Sequence, residues 1–240
     1  MQRGLQLLRG LSLRGLSPIL GVALAAAFLA PAAPAADWVD LMKNGLEDWE
    51  ILGDGVWKLR SDGVVTAHRK SDHDELFADG EPVTKRQFHQ WHINQSWLYT
   101  KKTYGEFDLH LEYWVRDPGN SGISIRDPSK AEFGIRHPPD FKKTPSKLGY
   151  EIQINSNWPD KWATGSIYGL AAAKPGLQRE GEWNSLNIES RKDSIKVYIN
   201  GILAAEHPGD PKRPPMGPIG LQLHDQSSVV MFRQIWLLEY

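Results

Sequence analysis

The segment Phe107-Asp-Leu-His-Leu-Glu-Tyr-Trp-Val-Arg116 alternates apolar and polar residues over ten positions. A period of two fits a half-buried strand and no helix, because successive side chains of a strand point to opposite faces. Phe107, Leu109, Leu111, Tyr113 and Val115 take one side, and Asp108, His110, Glu112, Trp114 and Arg116 the other. The pattern recurs in 122–126, 150–155, 185–189, 194–199, 219–224 and 229–237, with shorter runs at 57–59 and 64–67. Asn200-Gly201 predicts a tight hairpin between Ile195–Ile199 and Ile202–Ala205. No amphipathic helix of ten residues or more is apparent, and no repeat has a solenoid or propeller period. Many short strands separated by Pro and Gly turns predict an all-β sandwich or jelly roll of one domain.

Composition narrows the function classes. The chain has 240 residues, no cysteine, ten tryptophans and a net charge of −1. Without cysteine there is no disulfide framework, thiolate metal site or cysteine nucleophile. A near-neutral balance argues against nucleic acid as a partner. No glycine-rich phosphate loop, nucleophile-elbow serine or H-E-x-x-H motif occurs, so no nucleotide cofactor is expected.

Residues 1–36 read as a signal peptide and spacer. Arg3, Arg9 and Arg14 precede an apolar run, Pro18 to Ala30, which is too short to span a membrane. Ala33-Pro34-Ala35 fits a cleavage site. Cleavage near Ala35 would remove three arginines and no acid, leaving 205 residues at net −4. The expected product is a periplasmic or secreted domain, 37–240, without a transmembrane segment. All ten tryptophans stay with it.

Strand alternation also sorts the polar residues. Glu151, Gln153 and Asn155 share one face, opposite Ile152 and Ile154; Gln222 shares a face with His224, and Ser124 with Arg126. If these strands are neighbours, the polar sets line one surface suited to a small carbohydrate, with amides and carboxylates for hydroxyls and aromatic walls for ring faces. Trp158 and Trp162 are the candidate sugar-stacking residues. Trp38, Trp49, Trp57 and Trp236 read as packing residues, and His110 and Glu112 as a solvated face. His224, followed by Asp225, is the strongest candidate acid, base or metal ligand among the histidines. His89-Gln-Trp-His92 has a chelating spacing but falls in the stretch Lys70–Trp97, which reads as a long ordered loop.

In order along the chain come Asn44-Gly-Leu-Glu-Asp-Trp49, Tyr104-Gly-Glu-Phe-Asp-Leu109, Asn120-Ser-Gly-Ile-Ser-Ile-Arg126, Gly149-Tyr-Glu-Ile-Gln-Ile154, Thr164-Gly-Ser-Ile-Tyr168, Gly217-Pro-Ile-Gly-Leu-Gln-Leu-His224 and Phe232-Arg-Gln-Ile235. Together they resemble the bacterial 3-keto-disaccharide hydrolase family from about Trp38 to Tyr240. The resemblance implies a concanavalin A-like jelly roll acting on glycosides oxidised to a ketone at carbon 3. It implies Glu151 as base or metal ligand and His224 as proton shuttle or ligand. Asn120 and Arg126 would bind the keto sugar, and Gln153 and Gln222 would position hydroxyls. A divalent metal on Glu151 and His224 stays open. The other reading is a non-catalytic carbohydrate-binding module on the same fold. Two departures stand out: Lys70–Trp97 is longer than the family pattern, and Gln234 stands where Asn is usual.

Overall fold

A computed structural model describes residues 37–70, 83–136, 139–157 and 159–240. Residues 1–36, read as a signal peptide and spacer, part of the Lys70–Trp97 stretch, and Trp158 lie outside the described residues. Thirteen strands and three short helices follow in order: β1 Val39–Asp40, β2 Trp49–Leu52, β3 Val56–Leu59, β4 Val65–His68, α1 Lys85–His92, β5 Ser96–Thr100, β6 Phe107–Val115, β7 Gly119–Ile125, α2 Glu132–Ile135, α3 Pro145–Leu148, β8 Tyr150–Ser156, β9 Asn184–Arg191, β10 Ser194–Ile199, β11 Ile202–His207, β12 Gly220–Leu223 and β13 Val230–Glu239. No helix among the described residues is long and apolar enough to cross a membrane.

The strands form two sheets. The larger runs β11-β10-β9-β6-β13-β4-β3, with β1 paired to β13; the smaller runs β2-β5-β12-β7-β8. Every pairing is antiparallel. Leu109, Leu111, Ile188, Val197 and Phe232 of the large sheet join Leu98, Ile123, Ile152, Ile154 and Leu221 of the small one in a single apolar core. The alternation in β6 is borne out, with the five apolar residues buried and the intervening four half-buried. At the β10–β11 hairpin, Asn200 (φ 51°) and Gly201 (φ 79°) both take the positive φ of a type I′ turn.

Three expectations are corrected. Residues 70–97 are not one loop. Thr84 caps α1 by accepting from the Gln87 backbone N–H, while the Gln87 side chain accepts from the Thr84 N–H. The stretch ends in β5, all five residues of which are buried, so its sequence shows no alternation. Trp49 and Trp57 are core residues as read, but Trp38 and Trp236 are 50% and 43% exposed. The reason at Trp236 is a bulge in β13. Gln234 takes φ 52°, and the register shifts between Arg233 and Trp236. The extra residue makes Ile235 the buried one and turns Trp236 outward.

Candidate active site

The small sheet carries a polar outer face. Register places Trp97, Gln222, Gly122 and Gln153 in one row across β5, β12, β7 and β8, and Tyr99, Gly220, Ser124 and Glu151 in the next. The strands that were to bring the polar sets together are therefore neighbours. Small residues at the centre of the rows matter. Because β7 offers only Gly122 and Ser124 there, side chains from β8 and β12 reach across it: Gln222 Nε2 donates to Glu151 Oε1 at 3.0 Å. A methyl on Gly122 would sit 3.2 Å from Gln222 Oε1 and 3.3 Å from Glu151 Oε1. The glycine leaves a notch between the carboxylate and the amide. Gln222 Oε1 is buried and has no hydrogen-bond partner among the described residues.

This face is roofed rather than open. Glu151, Gln153, Asn120 and Gln222 are all buried. α3 packs on β7 and β8. Along the outer edge of β8 the chain from 163 to 168 adds a further layer of pairing: Gly165 donates to the Gln153 carbonyl, Gln153 to that of Ser166, and Tyr168 to that of Glu151. The pairing seats Trp162 and Tyr168 at the margin, their rings 5.6 Å apart. On the other side the Gln226 N–H donates to the His92 carbonyl, tying the end of α1 to the turn after His224.

Burial sets the electrostatics. It pushes the Glu151 carboxyl up to about 7, with Asp127 adding to the rise, while His224, the Gln222 amide and the Ser146 N–H pull the other way. A carboxyl poised near neutrality beside an imidazole can take or give a proton. Burial, Asp160 and Glu151 together raise the Tyr168 phenol to about 12.

His224 is held from behind. Its Nδ1 faces Asp225 Oδ2 at 3.3 Å. Asp225 is fully buried and accepts from the Ser228 hydroxyl at 2.7 Å and from the Ser227 and Ser228 N–H groups. Burial opposes its ionisation, but His224, Ser228 and Ser227 outweigh it, and the carboxyl sits well below its usual range. The Asn120 N–H donates to Ser228 Oγ, joining β7 to the same network. The Asn120 side chain accepts from Gln153 Nε2 at 3.3 Å.

Sequence-derived candidates thus fall into three groups. Glu151, Gln153, Gln222, Asn120 and His224 come together, and Trp162 lies at the rim. Arg126 does not join them. It takes φ 56°, which ends the alternation of β7, and its guanidinium donates to the Gly105 and Arg191 carbonyls. Its place is structural, not beside Ser124 on the polar face. Trp158 lies outside the described residues. His92 of the expected chelating pair stacks on Phe88, with ring centres 5.7 Å apart.

Several residues here escaped the sequence reading. Arg69 is buried; it donates to the Asn94, Leu223 and Asp225 carbonyls and pairs with Asp54, fixing the end of β12 below His224. Burial lowers its guanidinium to about 10, offset in part by Asp225. Asp225 is visible only as the neighbour of His224, and nothing local marks Arg69 or Tyr168. Only pairing between distant strands does.

Among the described residues no three His, Asp or Glu side chains converge as a metal-ligating group. Glu151 and His224 would be two ligands at most. One Glu151 oxygen is occupied by Gln222, and His224 Nδ1 faces Asp225.

Two antiparallel sheets thus form a β-sandwich whose smaller sheet carries a buried acid and amides, with an imidazole just past one strand end. The chain belongs to the 3-keto-alpha-glucoside-1,2-lyase-like domain family, whose model matches residues 37–238. Among solved structures it is similar to a candidate glycosyl hydrolase from Parabacteroides distasonis, at 22% identity and a TM-score of 0.60, covering 85% of this chain and 100% of that one. A second such protein from the same organism gives 18% identity, 0.57, 85% and 94%. The carbohydrate-binding module CBM66 of Bacillus subtilis gives 14%, 0.52, 80% and 96%. These likenesses establish the fold. No curated protein matches the chain.

Proposed function

We propose that the mature chain is an exported enzyme that cleaves the glycosidic bond of 3-keto-glycosides by elimination and hydration. The observation carrying this reading is Glu151. It is a buried carboxyl held near neutrality, beside a notch over Gly122 and within electrostatic reach of His224. A ketone at carbon 3 acidifies the proton on carbon 2. Glu151 removes that proton, and the electron pair forms an enolate with the carbon 3 oxygen. The enolate collapses, the bond from carbon 1 to the glycosidic oxygen breaks, and His224 protonates the leaving alcohol. Water then adds across the carbon 1–carbon 2 double bond and yields 3-keto-glucose. In this reading side-chain amide N–H groups of Asn120 and Gln153 steady the enolate oxygen. No second catalytic carboxylate of the ordinary glycosidase kind is required.

The test is incubation with 3-keto-trehalose or another 3-keto-glucoside, with and without chelator, measuring released 3-keto-glucose. The wild type should release it, with a rate rising through about pH 7 as Glu151 ionises. Glu151→Gln should lose on the order of 10²–10⁴-fold, the usual contribution of a positioned base. Loss of activity with chelator would add a cation to the Glu151 and His224 pair. No release from any such substrate, with sugar binding retained, would leave a carbohydrate-binding module. The amide set and the Trp162–Tyr168 rim suit that second reading.

A further inference from the structure

The outer face of the large sheet carries a second feature. Register aligns Trp236, His110, Asn187 and Tyr198 in one row across β13, β6, β9 and β10. At the strand spacing of a sheet, the row extends about 14 Å. With Trp38 and Glu189 these residues line a groove of about 590 Å³, a volume within the usual range of ligand sites. His110 Nδ1 and Asn187 Oδ1 are paired at 2.5 Å between the aromatic ends, and the Trp236 and His110 rings lie 6.0 Å apart.

From this arrangement we infer a second binding site, for a neutral oligosaccharide laid across the strands. Three observations point that way. The exposure of Trp236 is built, because unbroken alternation from Phe232 would bury it and the bulge at Gln234 turns it into water. Both indoles offer broad apolar faces to solvent, as stacking on pyranose rings requires. The charges suit a neutral ligand. No Lys or Arg lines the groove, so an anion has no partner there. Of its two carboxylates, Asp108 is already engaged by Arg191 and the Tyr240 hydroxyl, so a cation gains little there. The amide and imidazole between the rings match hydroxyl groups. A row this long exceeds one pyranose, which favours an oligosaccharide over a monosaccharide. The groove and Glu151 lie on opposite sheets, so both can be occupied at once.

Titration calorimetry with cellohexaose, laminarihexaose and maltohexaose tests the site. At least one should bind the wild type. Trp236→Ala and Trp38→Ala should each weaken it about tenfold or more, Trp236→Phe should restore part of the loss, and Glu151→Gln should leave it unchanged. Thermal unfolding should be unaltered in the tryptophan variants, since both side chains are exposed. The site is refuted if no hexaose binds, if binding survives both alanine variants, or if Glu151→Gln abolishes it. It is also refuted if the tryptophan variants change only the sedimentation coefficient, which would make the groove a contact between copies of the chain. Because the cleavage assay depends on Glu151 and this one does not, either can fail alone.

Discussion

The outer faces of the two sheets are built from the same alternation and end in opposite environments. On the large sheet the polar residues meet water, and their charges are satisfied locally. Arg233 pairs with Glu112 directly across β13 and β6, and Arg191 with Asp108 across β9 and β6, all partly exposed. On the small sheet, loops and short helices cover the equivalent residues, and water is replaced by fixed partners. Glu151 there is pushed up to about 7. Identical local patterning therefore yields a solvated surface in one place and a buried face with a raised carboxyl in the other. The roof makes the difference.

Five changes would break or sharpen this contrast. The largest effect on stability is expected at Arg69, buried under the roofed face. Arg69→Met leaves three carbonyls of buried residues and the exposed Asp54 without their partner, and should cost about 3–5 kcal/mol in denaturant unfolding, since each buried acceptor left unsatisfied costs about 1–3 kcal/mol. Arg233→Ala on the open face should cost under about 1 kcal/mol, since screened surface pairs contribute little. Equal losses would sink the distinction.

Glu151 provides the next test, with opposite sign. Its pKa is raised in the folded chain, so the neutral form folds more favourably, and that advantage fades as pH rises through about 7. Glu151→Gln should match the wild type near pH 4 and exceed it above pH 8 by roughly 3 kcal/mol, at 1.36 kcal/mol per pKa unit. Calorimetric melting against pH would read this out; a flat difference would mean the carboxyl is not held up by burial. Gly122→Ala probes the notch. The added methyl presses on Ile152 O, Gln222 Oε1 and Glu151 Oε1, and overpacking of this kind costs about 1–3 kcal/mol. Activity should fall by more than stability alone explains, because the methyl fills the space beside the carboxylate. The smallest change is Gln234→Asn. Gln234 sits at positive φ, which Asn tolerates better, so the variant should gain about 0.5–1 kcal/mol in unfolding experiments, within the 1–2 kcal/mol left-handed penalty.

Much of the fold was legible because strand alternation is local. Which of Phe107 to Val115 face the core follows from the tetrahedral Cβ and nothing further away. Asn200-Gly201 likewise carries its own backbone preference. Other elements were not legible for equally physical reasons. β5 is buried on both faces, so Ser96–Thr100 has no polar phase to read. The Gln234 bulge adds one residue that the sequence does not announce, and it reverses the facing of Trp236. The turn at Arg126 sends a guanidinium read as sugar-binding toward two backbone carbonyls instead.

Of the site itself, the sequence alone determined the chemical inventory: an acid and two amides in phase on β8 and β12, an imidazole at a strand end, and no thiol anywhere. The tertiary structure decided what that inventory can do. It chose β7 as the strand between β8 and β12, so that Gly122 lets Glu151 meet Gln222. It brought Arg69 against the end of β12 below His224, and it closed a roof over the carboxylate. These are long-range events. Proton affinity in a protein depends on the surrounding solvent and partners, which no local pattern records.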